Sequence, residues 1–326
     1  MSAASKGRIM ALVAGLGLPR RRALGHLGLA KSTYYRWLGK QVEGRLQDRK
    51  GGSSVPWNRL RPEERENILS LARASPELSP RQLALTLTDT RGTYISESTV
   101  YRVLKREGLI KTAEVVGFKA DKEYHRKTKG PNELWATDCA HLKVIGWGYY
   151  YLVTVMDDYS RYILSWELAS DMSARSLIDV VQKAVDTTGM TDVPMEDRTK
   201  LLSDNGAGYL SGSFNEYLRL VGIRHIIAAP FHPETNGKIE RYHRTMKGSI
   251  NIIPYEMPSE LEDAIRAFVE YYNYRRYHEG IGNVTPHDVY IGRHQEILRK
   301  RREAKSRTLQ ARKSYNTAVR RQGSEH

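Results

Sequence analysis

Residues 134–168 read LWATDCAHLKVIGWGYYYLVTVMDDYSRYILSWEL. Leu134–Val144 alternates apolar residues, Ile145-Gly146-Trp147-Gly148 has the composition of a turn, and Tyr149–Met156 supplies a second strand. Asp157-Asp158-Tyr159-Ser160 turns the chain again into Arg161–Leu168, so three strands at hairpin spacing predict an antiparallel meander. Beyond it, helical spacing over Ser173–Thr188 precedes a strand at Lys200–Ser203, a helix near Ser213–Leu220 and a strand at His225–Ala229. A long helix is predicted to begin after Asn236-Gly237. This order predicts an α/β fold, a mixed five-stranded sheet with helices on its faces.

On the N-terminal side the pattern is helical and basic. Arg20–His26, the turn Leu27-Gly28-Leu29 and a helix starting at Lys31-Ser32-Thr33-Tyr34-Tyr35-Arg36-Trp37 read as one helix–turn–helix segment, with Ser32 as the expected N-cap. A second such unit runs from Arg61–Ala74, through Ser79-Pro80 as N-cap and first helical position, to Glu97–Glu107 capped by Ser96. Val100, Val103 and Leu104 form the apolar stripe of that last helix. Arg102, Lys105 and Arg106 occupy its other faces, as a helix entering a major groove needs. Gln41–Val55 is polar and ends in Gly51-Gly52-Ser53-Ser54, a linker composition. The expected division is 1–40 first helix–turn–helix segment, 41–58 linker, 59–112 second helix–turn–helix domain, 113–130 basic linker, 131–290 sheet domain and 291–326 basic tail.

Charge follows the same division. Of 326 residues, 52 are Lys or Arg and 37 Asp or Glu, a net +15. Residues 1–120 carry +12, 121–290 carry −5 and 291–326 carry +8. Two basic flanks around a slightly acidic middle fit a chain that holds a polyanion and gathers carboxylates between. No apolar run reaches the roughly 18–20 residues of a membrane span, and triple Arg at 20–22 follows Ile9–Leu18 where a signal peptide would have its cleavage site. Cys139 is the only cysteine, which excludes intramolecular disulfides. By strand alternation its side chain faces away from that of Asp138, toward the core. The expectation is a cytoplasmic protein that faces DNA or RNA.

Three acids sit at special points of this layout. Asp138 lies within the first strand, where Asp is disfavoured. Asp204 follows a strand in Leu201-Leu202-Ser203-Asp204-Asn205-Gly206, and Glu240 falls in the first turn of the long helix. The gaps between them are 65 and 35 residues. Taken singly each has an ordinary reading: a strand residue facing solvent, an Asn-Gly turn, a first-turn acid favoured by the helix dipole. Glu234 is a rival to Glu240, with a 29-residue gap.

Together the motifs resemble the DDE transposases and retroviral integrases, most closely the insertion-sequence transposases whose catalytic domain is often the second reading frame. The resemblance is carried by Tyr34-Tyr35-Arg36-Trp37, Trp135-Ala136-Thr137-Asp138, Ser203-Asp204-Asn205-Gly206 and Asn236-Gly237-Lys238-Ile239-Glu240-Arg241. It continues at Tyr272-Asn273, Arg276, His278 and Thr285-Pro286. It implies a ribonuclease H-like core in which Asp138, Asp204 and Glu240 are catalytic and hold two Mg²⁺ ions, with Mn²⁺ as a substitute. Glu234 departs from the family, which more often has Gln there. Two hard cations about 3.5–4 Å apart would activate the attacking oxygen and stabilise the leaving one in phosphodiester displacement, and they favour oxygen ligands. The implied activity is cleavage of double-stranded DNA at element ends (terminal repeats) and joining of the 3′-hydroxyl to target DNA. The implied partners are further copies of the chain on DNA and, in some relatives, an upstream-frame protein.

Secondary candidates surround the acids. Glu240, Arg244 and Lys247 share one helix face, and a basic residue seven after the glutamate contacts DNA in the family, a role carried to Lys247. Arg244, Lys238 and Arg36 join Arg102, Lys105 and Arg106 as DNA-binding candidates. His232, Asn236 and Gly237 fall in the expected active-site loop. Glu260–Tyr272 is helical, and the aromatic and basic run that follows it is open to base stacking or to packing against the sheet. Residues 293–321 read as an extended basic helix ordered mainly on DNA. A ribonuclease H-like nuclease that only hydrolyses, and a DNA-binding regulator with an inactive core, are the alternative functions.

Overall fold

The computed structural model describes residues 1–47, 55–110, 128–228, 237–251 and 254–322. Its elements in chain order begin with α1 (Ala3–Gly15), α2 (Arg20–His26), α3 (Lys31–Val42), α4 (Pro62–Ala74), α5 (Pro80–Arg91) and α6 (Glu97–Arg106). The middle holds β1 (Leu134–Val144), β2 (Gly148–Asp157), β3 (Ile163–Ala169), α7 (Ala174–Thr188), β4 (Lys200–Ser203), α8 (Ala207–Leu210), α9 (Gly212–Leu220) and β5 (Arg224–Ile227). It continues with α10 (Gly237–Ile250), α11 (Pro258–Tyr274), α12 (Pro286–Tyr290) and α13 (His294–Gln322). None of the described helices is long and apolar enough to cross a membrane.

Two compact units emerge: Met1–Arg59 with Arg312–His326, and Leu60–Ala311. In the first, α1, α2 and α3 close over Met10, Val13, Ala23, Leu24, Tyr34 and Trp37. Helix α1 was not anticipated, because its alternation is weak and glycines interrupt it. Ser32 is not the cap of α3: the cap lies two residues earlier, at Ala30, which has no side-chain bond to offer.

In the second unit, α4, α5 and α6 pack around Ile68, Leu83, Leu87, Ile95 and Val100. Ser79 caps α5 as expected, accepting from Gln82 N–H at 3.3 Å while Gln82 returns a bond to the Ser79 backbone. Ser96 occupies the cap position of α6 but bonds the Ser98 and Thr99 hydroxyls instead of a backbone N–H.

The sheet has the order β3-β2-β1-β4-β5. Strands β1, β2 and β3 form the antiparallel meander, and β4 and β5 join parallel beside β1. This is the ribonuclease H-like arrangement. Strand β5 ends at Ile227, two residues short of the expected end. Alternation along β1 divides two layers of core: Ala136, Ala140 and Leu142 pack with α10 and α11, while Trp135 and Cys139 pack with α7 and α9. At the β3 edge, Asn273 of α11 accepts from Ile163 N–H at 2.9 Å and donates to Ile163 O at 3.0 Å, closing an edge with a side chain that mimics a strand.

The tail departs from expectation. Helix α13 carries a buried i, i+4 stripe of Ala304, Thr308, Arg312 and Asn316. The Thr308 hydroxyl accepts from Tyr94 N–H at 3.0 Å, and Asn316 donates to the carbonyls of Trp57 and Arg59 at 2.9 Å each. A stripe of small and polar side chains orders the helix through hydrogen bonds, which hydrophobicity counting misses. The motif residues Tyr272 and Asn273 are buried, so packing, not base stacking, is their structural role.

Leu152 is fully buried at the centre of β2. Leu152→Ala is expected to cost about 2–5 kcal/mol of folding stability, measured as a shift in the urea midpoint at unchanged slope.

Candidate active site

Each of the three acids is delivered by a different element. Asp138 sits mid-way along β1, directly across from Thr154 on β2. Its Oδ1 accepts from Cys139 N–H at 2.8 Å, and its Oδ2 lies 3.2 Å from His243 Nδ1. Asp204 stands exposed just past β4, where Oδ1 accepts from Gly206 N–H at 2.9 Å in an Asx turn. A Cβ at Gly206 would come within 3.0 Å of that same oxygen, so glycine keeps the turn open. Behind Asp204, the Ser203 hydroxyl donates to the Asp204 carbonyl at 2.9 Å, and His225 Nε2 lies 2.8 Å from Ser203 Oγ. His225 Nδ1 in turn lies 2.8 Å from Asn215 Oδ1. Ser203 is fully buried, so this Ser–His–Asn row braces the end of β4 and offers no nucleophile.

Glu240 lies in the first turn of α10, whose buried face is Ile239, Tyr242, His243, Met246 and Ile250. Partial burial, then the negative charge of Asp138 and more weakly that of Asp204, hold its carboxyl above the usual range; Arg244 and His243 oppose them. Burial, followed by the same two aspartates, pushes the Cys139 thiol up to about 12, with Lys247 acting against them. The acids therefore share one field.

Glu240 and Asp204 make no ion pair among the described residues. No three His, Cys, Asp or Glu side chains among those residues stand close enough together to hold a metal as they are. The donor set itself, three carboxylates with the proton affinity of Glu240 raised by burial and then by the charges of Asp138 and Asp204, fits a hard divalent cation.

The remaining candidates divide. Arg244 is exposed and Lys247 half-buried on the face of Glu240. Lys238 Nζ is held by Asp158 Oδ2 at 2.7 Å, which fastens the start of α10 to the turn after β2. Gly237 opens α10, whereas His232 and Asn236, like the rival Glu234, lie outside the described residues. Arg36, Arg102, Lys105 and Arg106 are all exposed. The neighbouring helix α5 is committed elsewhere: Asp89 pairs with Arg301 at 2.6 Å and Arg81 with Glu279 at 2.6 Å, within the same unit. Sequence reading missed His243 and Thr154, since neither a mid-helix histidine nor a strand threonine carries a signal of its own.

Residues 128–233 and 221–286 match the family described as Integrase core domain. Residues 128–286 are thus similar to integrase core domains. Residues 33–104 match a Homeodomain-like domain. The chain is related to insertion-sequence transposases. It is 28% identical over 158 residues to a Mycobacterium tuberculosis protein named as a transposase for insertion sequence element IS986/IS6110, covering 48% of this chain and 56% of that one. It is 27% identical over 164 residues to the transposase for insertion sequence element IS904 of Lactococcus lactis, covering 50% and 62%. The chain thus spans somewhat over half the length of these curated relatives. Among solved structures, the HTLV-2 integrase catalytic core domain in complex with magnesium is 20% identical at a TM-score of 0.40, covering 51% of this chain and 99% of that one.

The raised carboxyl of Glu240 has a consequence for stability. A carboxyl that binds its proton more tightly when folded weakens the fold as pH rises from the ordinary carboxylate range through its own raised value. In chelator, Glu240→Gln is expected to melt above the wild type at neutral pH. The difference should close on acidification, followed by scanning fluorimetry across pH.

Proposed function

We propose that this chain is a DNA transposase whose integrase core cleaves element ends and joins the freed 3′-hydroxyl to target DNA at Asp138, Asp204 and Glu240. The observation that carries the reading is that the charges of Asp138 on β1 and Asp204 past β4 both act on the Glu240 carboxyl of α10, which burial raises first. Two Mg²⁺ ions, or Mn²⁺ in their place, bound by these acids would activate the attacking oxygen and stabilise the leaving one. The chain's own part is to aim the ligands. The Asx turn orients Asp204, the backbone N–H of Cys139 orients Asp138, and Lys238 with Asp158 holds the helix that delivers Glu240. Lys247 and Arg244, beside Glu240, are placed to neutralise phosphates next to the reacting one. In cleavage, water oxygen attacks phosphorus and the 3′-oxygen leaves. In joining, that 3′-hydroxyl attacks a target phosphodiester, whose own 3′-oxygen leaves.

The three-helix unit of α4, α5 and α6 reads the element ends through α6, because α5 is engaged by residues 277–301 while Arg102, Lys105 and Arg106 face solvent. The unit with α3 and Arg36 contributes further DNA contacts. The working assembly is two or more copies on paired ends, in the cytoplasm on the nucleoid, with an upstream-frame partner where the element encodes one.

The deciding test incubates full-length protein and Mg²⁺ with a plasmid carrying the gene and its native flanks, beside Asp204→Asn. Joined products that all use the same two flanking ends, absent with Asp204→Asn, are expected. Scattered nicks without joining would mean a nuclease, and tight binding to the flanks without any metal-dependent product would mean a regulator. For end recognition, Arg102→Ala and Lys105→Ala should each weaken binding and lower the salt slope by about 1 if the lost contact is to phosphate. Relaxed sequence preference at one position would instead mark a base contact.

A further inference from the structure

His243 follows Glu240 by one helical turn on α10, is 5% exposed, and is engaged at both ring nitrogens. Nδ1 lies 3.2 Å from Asp138 Oδ2 and Nε2 lies 3.1 Å from Thr154 Oγ1. Asp138 and Thr154 are partners across β1 and β2, so the imidazole bridges from the helix to a cross-strand pair. A carboxylate only accepts, so Nδ1–H donates to Asp138, and Nε2 shares the second hydrogen bond with the Thr154 hydroxyl. Thr154 is fully buried, and turning the ring would strand polar atoms away from water. The other oxygen of Asp138 is held by Cys139 N–H at 2.8 Å, so each carboxylate oxygen has one protein donor and the plane of the group is set. Both nitrogens of His243 being spent, the ring is not itself placed to ligate.

We infer that His243 is a positioning residue. Through the Thr154–His243–Asp138 chain it fixes the rotation of the Asp138 carboxylate and ties the helix bearing Glu240 to β1, so that one side chain sets two of the three acids relative to each other before a cation arrives. This rests on the reading of Asp138, Asp204 and Glu240 as cation ligands. Hydrogen bonds to a ligating group commonly govern metal affinity as strongly as this. An apolar packing role would leave the two hydrogen bonds without purpose in a core where unpaired polar groups are costly.

The experiment measures Mn²⁺ binding to the full chain without DNA, from the electron paramagnetic resonance signal of free Mn²⁺, with metal-free melting temperatures in parallel. His243→Asn places an amide near the Nδ1 position and retains the donor to Asp138. His243→Gln places it near Nε2 and retains only the Thr154 side. The expected result is near-wild-type binding for His243→Asn and a loss of about tenfold for His243→Gln, at similar melting temperatures. Thr154→Val, which frees Nε2 and the ring's rotation, should fall between them. Equal, undiminished binding by His243→Gln while Asp138→Asn binds none would overturn the positioning role and leave the cation site standing. His243→Asn as weak as His243→Gln would also overturn it, because the bond to Asp138 would then not be what matters. Wild type binding no more tightly than Asp138→Asn would instead remove the cation reading, and this inference with it.

Discussion

The proposed function requires three carboxylates, separated by 65 and 35 intervening residues, to be gathered in one place. No local motif can meet that requirement. The sheet does so by placing β1 at its centre, with β2 bonded along one side and β4 along the other. Asp138 is thereby held on a rigid strand, Asp204 emerges at the end of the neighbouring strand, and only Glu240 has to be brought in by packing a helix across the sheet.

That packing is where the cost falls. Helix α10 buries Ile239, Tyr242, Met246 and Ile250 against the face of β1 that carries Ala136, Ala140 and Leu142. The apolar contact drives the helix onto a surface from which Asp138 also projects. Two polar contacts fix where it stops: Lys238 with Asp158 at its start, and His243 with Asp138 and Thr154 one turn on. Apolar burial is non-directional and supplies attraction. The hydrogen bonds supply register. The other layer, with α7 and α9 against Trp135, Val153 and Val155, backs the sheet from the opposite face.

The small helical units follow a different economy. Their cores are six to eight residues each, and they are made specific by caps, glycine turns and side chains that bond backbone. Helix α13 extends this to a 29-residue element whose buried stripe contains Thr308, Arg312 and Asn316 in place of leucines. Composition alone described that helix as a basic, solvated tail, because hydropathy does not register a threonine that accepts a backbone N–H or an asparagine that spans two carbonyls.

Much of the core was legible from residues alone. Alternation over 134–168, Ser79-Pro80 and the long helix at Gly237 each express a local rule of period, cap or turn, and each appears in the structure within a residue or two. Asp138, Asp204 and Glu240 are singled out by their contexts taken together with the family resemblance, since each alone has an ordinary reading. The sequence by itself determined the strands and most of the helices, and which segments carry unusual charge. Only the tertiary structure decided that Glu240 feels Asp138 and Asp204, that Lys238 is spent on Asp158, and that His243 and Thr154 belong to the same site. The reason is physical: periods, caps and turns are set by neighbours along the chain, whereas electrostatic coupling and side-chain hydrogen bonds depend on distances that exist only once β1, β2 and α10 have packed together.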